Sequence, residues 1–386
     1  MAKELSRLQR QLGVDSELLS RLSTSIAQSP FQHPVVTGLA AMDAILANKS
    51  KPTLFTHYRD LASVEKIDNF VDVDILHLHW TPGFINARGL AHLSKSNPQL
   101  RIVWTLHDMF PFTGGCHHSF DCTGYQKDCS NCPQVRSAFK NKPVVALSTK
   151  LQNIATFNEI SFVSPSNWIA ERAKSSALLR GSKVSVIPNP LNSFFSNEPL
   201  SQPLSRSAYG IKSDSMISIL IAEDLADPNK AIQEFVNLAS KFKISHGVEI
   251  EVILVGRNAN KIVSLNLNLH RVGSVTPEEL SRLLPSADFL AVPSKMENAP
   301  SIVLEAASVG VPALVNSENE GAIEFAIGMG LGEAFEASGL ESEVLERLVA
   351  KRRNQQGQLR DKALAFASGD VSARSYLELY EQVLGK

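Results

Sequence analysis

The stretch of sequence at residues 289–316 reads as a strand, a helix and a second strand joined by short loops. Residues 289–292 are all apolar, Pro300 suits the first turn of a helix, and Gly-Val-Pro at 310–312 ends that helix directly before another apolar run. Because parallel strands need a crossover connection, and a helix usually supplies it, this unit predicts a parallel α/β sheet.

The same alternation runs through the second half of the chain and, more weakly, through the first half. Strands and helices alternate in the second half at 216–222, 230–242, 248–255, 271–275 and 277–284. Further strands are predicted in the first half at 71–80, 101–106, 161–164 and 183–187. The predicted fold class is α/β, with doubly wound parallel sheets.

A change in composition divides the chain. Residues 193–205 are rich in Ser, Asn, Pro and Gln without periodicity, which we interpret as an interdomain linker. We therefore predict an N-terminal domain over 1–195, a C-terminal domain over 196–370 and a last helix over 371–386. The chain opens on an amphipathic helix over 5–22. An opening strand with a glycine-rich loop is not evident, so the first domain is predicted to lack its first strand and the chain to begin late.

Charge and hydropathy exclude several classes of protein. The 386 residues carry 38 Lys and Arg against 39 Asp and Glu, a net charge of −1, so no basic field indicates nucleic-acid binding. No apolar run approaches the roughly 20 residues that span a bilayer, and the first residues lack the apolar centre of a signal peptide. We expect a cytoplasmic protein, and peripheral contact with the inner membrane stays open.

Two carboxylates flank the first turn of the helix that follows residue 292. Glu297 lies just before the helix and Glu305 two turns further on, on the face shared with Ser301. A helix N-terminus attracts phosphate, and carboxylates bind hydroxyl groups, so the pair suits a phosphorylated, hydroxyl-rich ligand. The alternative is a first-turn acid and a solvated surface residue. The position at the carboxyl edge of a predicted sheet favours the ligand site.

Lys230 begins another predicted helix in the same half of the chain. A cation at this end opposes the helix dipole and is poorly explained by local stability. Contact with a diphosphate explains it better than a solvated lysine does.

In the first half, the strand at 101–106 delivers His107 and Asp108 to its carboxyl end. A single histidine there is usually structural, whereas an adjacent His-Asp pair at a ligand edge makes a catalytic role equally plausible.

All four cysteines, in the loop at 114–133, follow the pattern C-x5-C-x6-C-x2-C: Cys116, Cys122, Cys129 and Cys132. In a cytosolic chain this clustering favours thiolate ligation of a structural zinc ion, and His117 or His118 could replace one thiol. Four reduced thiols or a disulfide pair are the alternatives, because the spacing lacks the second close pair of a zinc ribbon.

Two long motifs carry a resemblance to a known family. The sequence Trp-Thr-Leu-His-Asp-Met-Phe-Pro-Phe-Thr-Gly-Gly-Cys-His at 104–117, with its downstream cysteines, and Glu-Asn-Ala-Pro-Ser-Ile-Val-Leu-Glu-Ala at 297–306 resemble the GT-B glycosyltransferases of family four. The first motif is similar to a branch that acts in bacterial exopolysaccharide or lipopolysaccharide assembly.

The resemblance implies two Rossmann-like domains that face a cleft, with the acceptor held by the first and a nucleotide-sugar donor, UDP- or GDP-linked, by the second. It implies that Glu297, with Asn298 and Ala299 beside it, contacts the donor sugar. Glu305 would bind the ribose and Lys230 the diphosphate. It further implies that His107 and Asp108 line the cleft and act with Glu297 as catalytic residues. The anomeric configuration of the sugar would be retained without a catalytic metal. The last helix would return to the first domain.

These expectations lead to one main hypothesis and one alternative. The main hypothesis is a retaining, metal-independent glycosyltransferase that moves a sugar to a glycan or lipid-linked acceptor in cell-surface polysaccharide biosynthesis. The alternative is a catalytically impaired GT-B protein that binds a sugar nucleotide or a partner glycosyltransferase. Three departures from the family favour the alternative: the missing opening strand, Ala231 where relatives have Gly, and Glu-Asn-Glu-Gly at 318–321. A zinc-stabilised nucleic-acid module is disfavoured by the neutral charge.

Overall fold

The computed structural model of the protein describes residues 1–18, 47, 54–56, 73–82, 85, 87–154, 157, 160–211 and 215–385. The chain divides into two compact units. The N-terminal unit comprises Ala2–Ile187 together with Arg374–Lys386, and the C-terminal unit comprises Pro188–Ala373. The predicted absence of an opening strand concerns residues that lie largely outside the described part, as do residues 19–22 of the predicted first helix.

The N-terminal unit contains a parallel sheet whose described strands run in the order β1-β2-β3-β4. Its elements, in chain order, are α1 (Ala2–Gln11), β1 (Ile75–Leu78), α2 (Ala87–Ser96), β2 (Arg101–Thr105), α3 (Asn141–Ile154), β3 (Ile160–Ser164), α4 (Asn167–Ser175) and β4 (Val184–Val186). Parallel register aligns the carboxyl ends of these strands, so the residues that follow β1 and β2 lie side by side.

The C-terminal unit contains a second parallel sheet, with the described order β10-β9-β8-β5-β6-β7. Its first elements are α5 (Gln202–Ala208), β5 (Met216–Asp224), α6 (Ile232–His246), β6 (Ile250–Arg257), β7 (Asn268–Gly273), α7 (Pro277–Leu283) and β8 (Phe289–Val292). It continues with α8 (Ser301–Ser308), β9 (Ala313–Asn316), α9 (Glu320–Ile323), β10 (Gly332–Phe335), α10 (Ser342–Asn354) and α11 (Gln356–Ala367). The last helix, α12 (Gly369–Leu384), begins in this unit and ends in the N-terminal one.

Helices cover both faces of the C-terminal sheet. Along β5, Ile217 and Ile219 pack into one buried cluster, which also holds Leu304 of α8. Leu220 packs into a second cluster with Phe235 of α6. Successive side chains of a strand point to opposite faces, and both faces here are apolar, which makes these strands continuous apolar runs. Two doubly wound α/β units were the predicted fold class, and the structure confirms it.

The segment predicted as a linker is ordered instead. Ser193–Ser196 forms a 3-10 helix, capped by Asn192 Oδ1, which accepts a hydrogen bond from Phe194 N at 3.1 Å. Ser205 of α5 donates to the carbonyl of Arg282 at 2.5 Å. These local caps and tertiary bonds hold a segment without hydropathic periodicity, and the unit boundary falls earlier, between Ile187 and Pro188.

Of the helices in the described part of the chain, none is both long and apolar enough to cross a membrane.

Candidate functional site

A cavity of about 260 Å³ opens at the carboxyl edge of the C-terminal sheet. Ile221 of β5 and Val292 of β8 contribute apolar walls, and the first turn of α8 contributes Ser301. Lys230 and Glu297 add a cation and an anion from the two loops that enter α6 and α8. A cavity that combines apolar walls with a few placed polar groups is a common form of small-molecule site.

The two charged groups of the cavity form an ion pair. Lys230 Nζ donates to Glu297 Oε1 at 2.6 Å, and the side chains are 28% and 18% exposed. This pairing stabilises a lysine whose charge opposes the dipole of α6. A phosphate that takes the carboxylate's place on Lys230 would leave Glu297 able to accept hydrogen bonds from hydroxyl groups.

The residue after Lys230 adopts a conformation that favours glycine. Ala231 has φ +50° and ψ +32°, in the left-handed region, and its side chain is buried. The Cβ atom makes this backbone cost about 1–2 kcal/mol relative to the right-handed form. Glycine at this position, as in the family that the sequence resembles, would carry no such cost, so the departure is local strain and not a different fold.

Two asparagines that the sequence analysis did not single out hold the loops in place. Asn229 Nδ2 donates to the carbonyl of Met296 at 3.0 Å. Asn319, 1% exposed, donates from Nδ2 to the carbonyl of Ser294 at 2.9 Å and accepts from Glu297 N at 3.0 Å. Glu297 is therefore positioned through its own backbone. The sequence feature that could have indicated them is an asparagine in each of two loops at the carboxyl edge of the predicted sheet.

Gly321 was also missed as a determinant of the site. A Cβ built on Gly321 would lie 2.0 Å from the carbonyl oxygen of Glu297, far inside van der Waals contact. The segment 318–321 is thus compatible with close packing under the Glu297 loop, although its sequence differs from the Gly-Gly pattern of the family.

Glu305 lies on α8 and is not among the side chains that line the cavity. Burial raises the pKa of its carboxyl to about 7, although a hydrogen bond with Ser301 one turn earlier opposes the shift. Of the other predicted donor contacts, Ala299 lines the cavity and Asn298 is buried beside it. The structure therefore brings Lys230, Glu297 and Ala299 together at the cavity. Glu305 lies one turn further along α8 than Ser301 and outside the cavity lining.

Three histidines form a cluster at the carboxyl edge of the N-terminal sheet. His79 Nδ1 and His107 Nε2 share a hydrogen bond of 3.1 Å, and the rings of His77 and His79 lie 4.1 Å apart. Both ring nitrogens of His77 are bonded, to Tyr380 at 2.5 Å and to Thr105 at 2.8 Å. Burial lowers the pKa of His77 to about 3 and that of His107 to about 4, and the pKa of His79 falls for the same reason. At neutral pH His107 is therefore an uncharged hydrogen-bonding group.

Asp108 is the centre of a different network. Its carboxylate accepts from Trp80 Nε1 at 2.9 Å, from Phe110 N at 2.8 Å and from His117 Nδ1 at 2.6 Å. Burial alone would raise the pKa of Asp108, but His117 and these hydrogen bonds lower it. The carboxylate is ionised and accepts hydrogen bonds from the protein itself. The catalytic role predicted for Asp108 stays a prediction.

The cysteine-rich loop is packed against a buried lysine. Lys150 Nζ donates to the carbonyls of Phe110 and Thr113, the second at 2.9 Å, and lies 3.9 Å from the centre of the Phe110 ring. Backbone N–H groups point at two of the sulfurs, from Gly114 to Cys129 Sγ at 3.2 Å and from Gly124 to Cys122 Sγ at 3.4 Å.

The four cysteines form no disulfide. In the described ranges of the chain, no group of three or more His, Cys, Asp or Glu side chains is arranged to hold a metal ion. Burial raises the pKa of the Cys116, Cys129 and Cys132 thiols, so these groups are protonated in this arrangement. Zinc ligation, predicted from the sequence, would require the loss of their protons and stays a prediction.

Comparison with known proteins places the cavity inside a matched region. Residues 203–360 match the family model described as glycosyl transferases group 1. The region holds Lys230, Glu297 and Glu305. Over 253 residues the chain is 25% identical to a protein of Escherichia coli (strain K12) named as the colanic acid biosynthesis glycosyl transferase WcaC, a name that is itself provisional. The alignment covers 62% of this chain and 58% of that protein, less than two thirds of its length.

Several solved structures share the fold. A glycosyltransferase from Rickettsia africae superposes with a TM-score of 0.63 at 15% identity, covering 99% of this chain and 94% of that one. Sucrose-phosphate synthase from Thermosynechococcus elongatus gives 0.61 at 16% identity, covering 86% and 81%. Anabaena HepE, solved in complex with UDP-glucose, gives 0.57 at 14% identity, covering 85% of each chain. At these identities the likeness shows the fold, GT-B, and the activity is argued separately below.

Proposed function

We propose that the protein is a retaining glycosyltransferase that uses a nucleotide-sugar donor and needs no catalytic metal. The observation that carries the proposal is the cavity at the carboxyl edge of the C-terminal sheet, where Lys230 and Glu297 meet within the region that matches glycosyl transferases group 1. A cation suits a diphosphate and a carboxylate suits sugar hydroxyls, so the pair fits a nucleotide sugar.

Each site residue has a role in this proposal. Lys230 binds the diphosphate, Glu297 and the backbone of Asn298 and Ala299 contact the transferred sugar, and Glu305 binds the ribose. The first turn of α8 and Lys230 stabilise the leaving diphosphate electrostatically, which is the largest contribution that a protein makes to such a step. His107, uncharged, donates or accepts a hydrogen bond at the transferred sugar, with Asp108 fixing the neighbouring backbone.

The acceptor is proposed to be a glycan or a lipid-linked sugar, in cell-surface polysaccharide biosynthesis. The similarity to a protein named for colanic acid biosynthesis supports this class. We further propose that the protein acts in the cytoplasm, with peripheral contact to the inner membrane. The nucleotide is UDP or GDP, and the UDP-glucose complex of Anabaena HepE supports UDP as the first one to test.

The proposal is tested by donor binding and donor hydrolysis with a panel of UDP- and GDP-sugars. Lys230→Ala removes a charge-assisted hydrogen bond of about 1.5–3 kcal/mol and should weaken binding by roughly tenfold to a hundredfold. Glu297→Ala should lower hydrolysis by about a hundredfold. Lys295→Ala is the matched control, since Lys295 lies in the loop of Glu297 but pairs with Glu234 at 3.7 Å on the surface. Equal behaviour of Lys230→Ala and Lys295→Ala would contradict the proposal.

The alternative, a catalytically impaired protein that binds sugar nucleotides, gives a different result in the same experiment. It predicts saturable donor binding that depends on Lys230, with neither hydrolysis nor transfer in the unmodified protein. The ion pair that Lys230 and Glu297 make with each other is the observation in its favour, because a donor must displace it.

A further inference from the structure

One large aromatic side chain at the carboxyl edge of the N-terminal sheet faces solvent. Trp80 follows β1 directly and is 56% exposed, whereas Trp104 is 3% exposed. Burial of a tryptophan removes a large apolar surface from water, so a ligand that covered the indole of Trp80 would gain that free energy.

The exposed indole is held in one orientation. Its N–H donates to Asp108 Oδ2 at 2.9 Å, and its ring lies 5.9 Å from that of His117. His117 is fully buried, and its second ring nitrogen is bonded to Thr56 at 2.9 Å. The buried, ionised carboxylate of Asp108 therefore fixes the orientation of Trp80, which is exposed.

This orientation is pre-organised for a ligand. A flexible surface tryptophan would lose rotamer freedom on binding, and an indole fixed by a buried network loses little. Trp80 also lies close to the predicted site residue His107. Its partner Asp108 follows His107 in the sequence, and the preceding residue, His79, is hydrogen-bonded to the His107 ring.

We propose that Trp80 is a stacking platform for a pyranose ring of the acceptor. The proposal rests on the glycosyltransferase function proposed above and names a binding residue for its acceptor side. The face of an indole carries partial negative charge, and the C–H bonds on one face of a pyranose are weakly positive, so the two faces attract while the sugar hydroxyls stay in water or reach neighbouring polar groups. His79 and His107, uncharged, supply such groups at the same edge of the sheet.

A binding measurement without donor tests this inference directly. Maltose, lactose and cellobiose serve as ring-containing probes, and sorbitol serves as an open-chain polyol with hydroxyl groups but no ring face. At least one disaccharide should quench the intrinsic tryptophan fluorescence saturably, and sorbitol should not. The chain has three tryptophans, and the Trp168→Phe variant should retain the response, because Trp168 lies on α4 beside Arg172.

Calorimetry on two variants then assigns the response to Trp80. Trp80→Leu should weaken disaccharide binding by roughly tenfold, and Trp80→Phe, which keeps a flat ring, by less. No response to any of the three disaccharides, or an equal loss with Trp168→Phe, would overturn the inference. So would a fluorescence blue shift with phosphatidylglycerol vesicles and none with disaccharides, which would indicate a membrane contact.

Donor binding, measured on the same protein samples, distinguishes a failure of the stacking proposal from a failure of the proposed function. Thermal shift with the same panel of UDP- and GDP-sugars reports on the C-terminal cavity and does not involve Trp80. Donor binding without disaccharide binding overturns only the stacking platform. Disaccharide binding without donor binding supports the platform and contradicts the transferase.

Discussion

Glu305 is the residue whose ionisation should be visible in ligand binding. Burial disfavours its charged form and raises the pKa to about 7, so the carboxyl is protonated below that pH and ionised above it. Ribose hydroxyls donate hydrogen bonds, and an ionised carboxylate is the stronger acceptor. We therefore predict that a UDP-sugar binds more tightly as the pH rises through about 7, by up to about tenfold between about pH 6 and about pH 8.

Calorimetry at several pH values measures this dependence. A nucleotide sugar is the right ligand, because its diphosphate is esterified at both ends and does not itself titrate near neutral pH. Glu305→Gln cannot ionise and should bind with an affinity that is flat over the same range. A slope that persists in Glu305→Gln would assign the titration to another group.

At the scale of elements, the close packing of α9 under the Glu297 loop makes a second prediction. A methyl group on Gly321 would meet the Glu297 carbonyl at 2.0 Å, so Gly321→Ala must push the loop away from α9. We expect a destabilisation of about 1–3 kcal/mol, as for other overpacked sites, together with weaker donor binding. The measurements are urea denaturation of the variant and its affinity for a UDP-sugar.

Gly357→Ala is the control for that substitution. Gly357 lies in α11, and a Cβ built there meets no atom within 4 Å. Alanine is the better helix former, so this change should leave stability equal or slightly increased. If both variants lost donor affinity equally, the loop packing would not be the cause.

The cysteine-rich loop carries the metal prediction. The spacing predicts a zinc site, and in the described structure Lys150 and the Asp108 and His117 pair also hold the loop. Metal analysis of protein purified without chelator tests the zinc prediction. The sequence predicts about one zinc per chain, and less than about a tenth of an equivalent would contradict it. In that case Lys150 and His117 are sufficient to order the loop.

At the scale of the whole molecule, the sequence was informative wherever one local pattern determines one element. The apolar run 289–292 and the Gly-Val-Pro stop predicted β8, α8 and β9 almost to the residue. Parallel topology followed from the alternation alone. The local structure of segments of mixed polarity, such as 193–205, was not predicted, because it depends on caps and on bonds to distant residues.

The site shows the same limit. Glu297 and Glu305 were proposed because they share one helix and its preceding loop, and Lys230 because its charge is unfavourable where it lies. Their partners were not predictable, since the contact of Lys230 with Glu297 spans 67 positions. The bond between Trp80 and Asp108 spans 28 positions, and no local pattern marks either residue as the other's partner.

Hydrogen bonds that span more than 250 positions between described residues give the last prediction. Tyr376 and Tyr380 of α12 belong to the N-terminal unit, although they are near the end of the sequence. Tyr376 is hydrogen-bonded to Thr105 at 2.9 Å, and Tyr380 to His77 and to Gln9 of α1. Because both rings are buried, a chain that ends after Ala373 loses two aromatic side chains from the packing of β1 and β2. Each loss should cost about 3–5 kcal/mol.

Hydrogen exchange followed by mass spectrometry shows where that cost falls. In the chain ending after Ala373, amides of β1 and β2 should exchange much faster than in the full chain. Those of β5, β6 and β8 should be little changed, because the residues that are removed, from Arg374 onward, belong to the N-terminal unit. A chain ending after Leu384 keeps the helix and is the control. Faster exchange across both sheets would mean instead that the units unfold as one cooperative body, and equal protection of β1 and β2 would mean that the tyrosines contribute little to the first sheet.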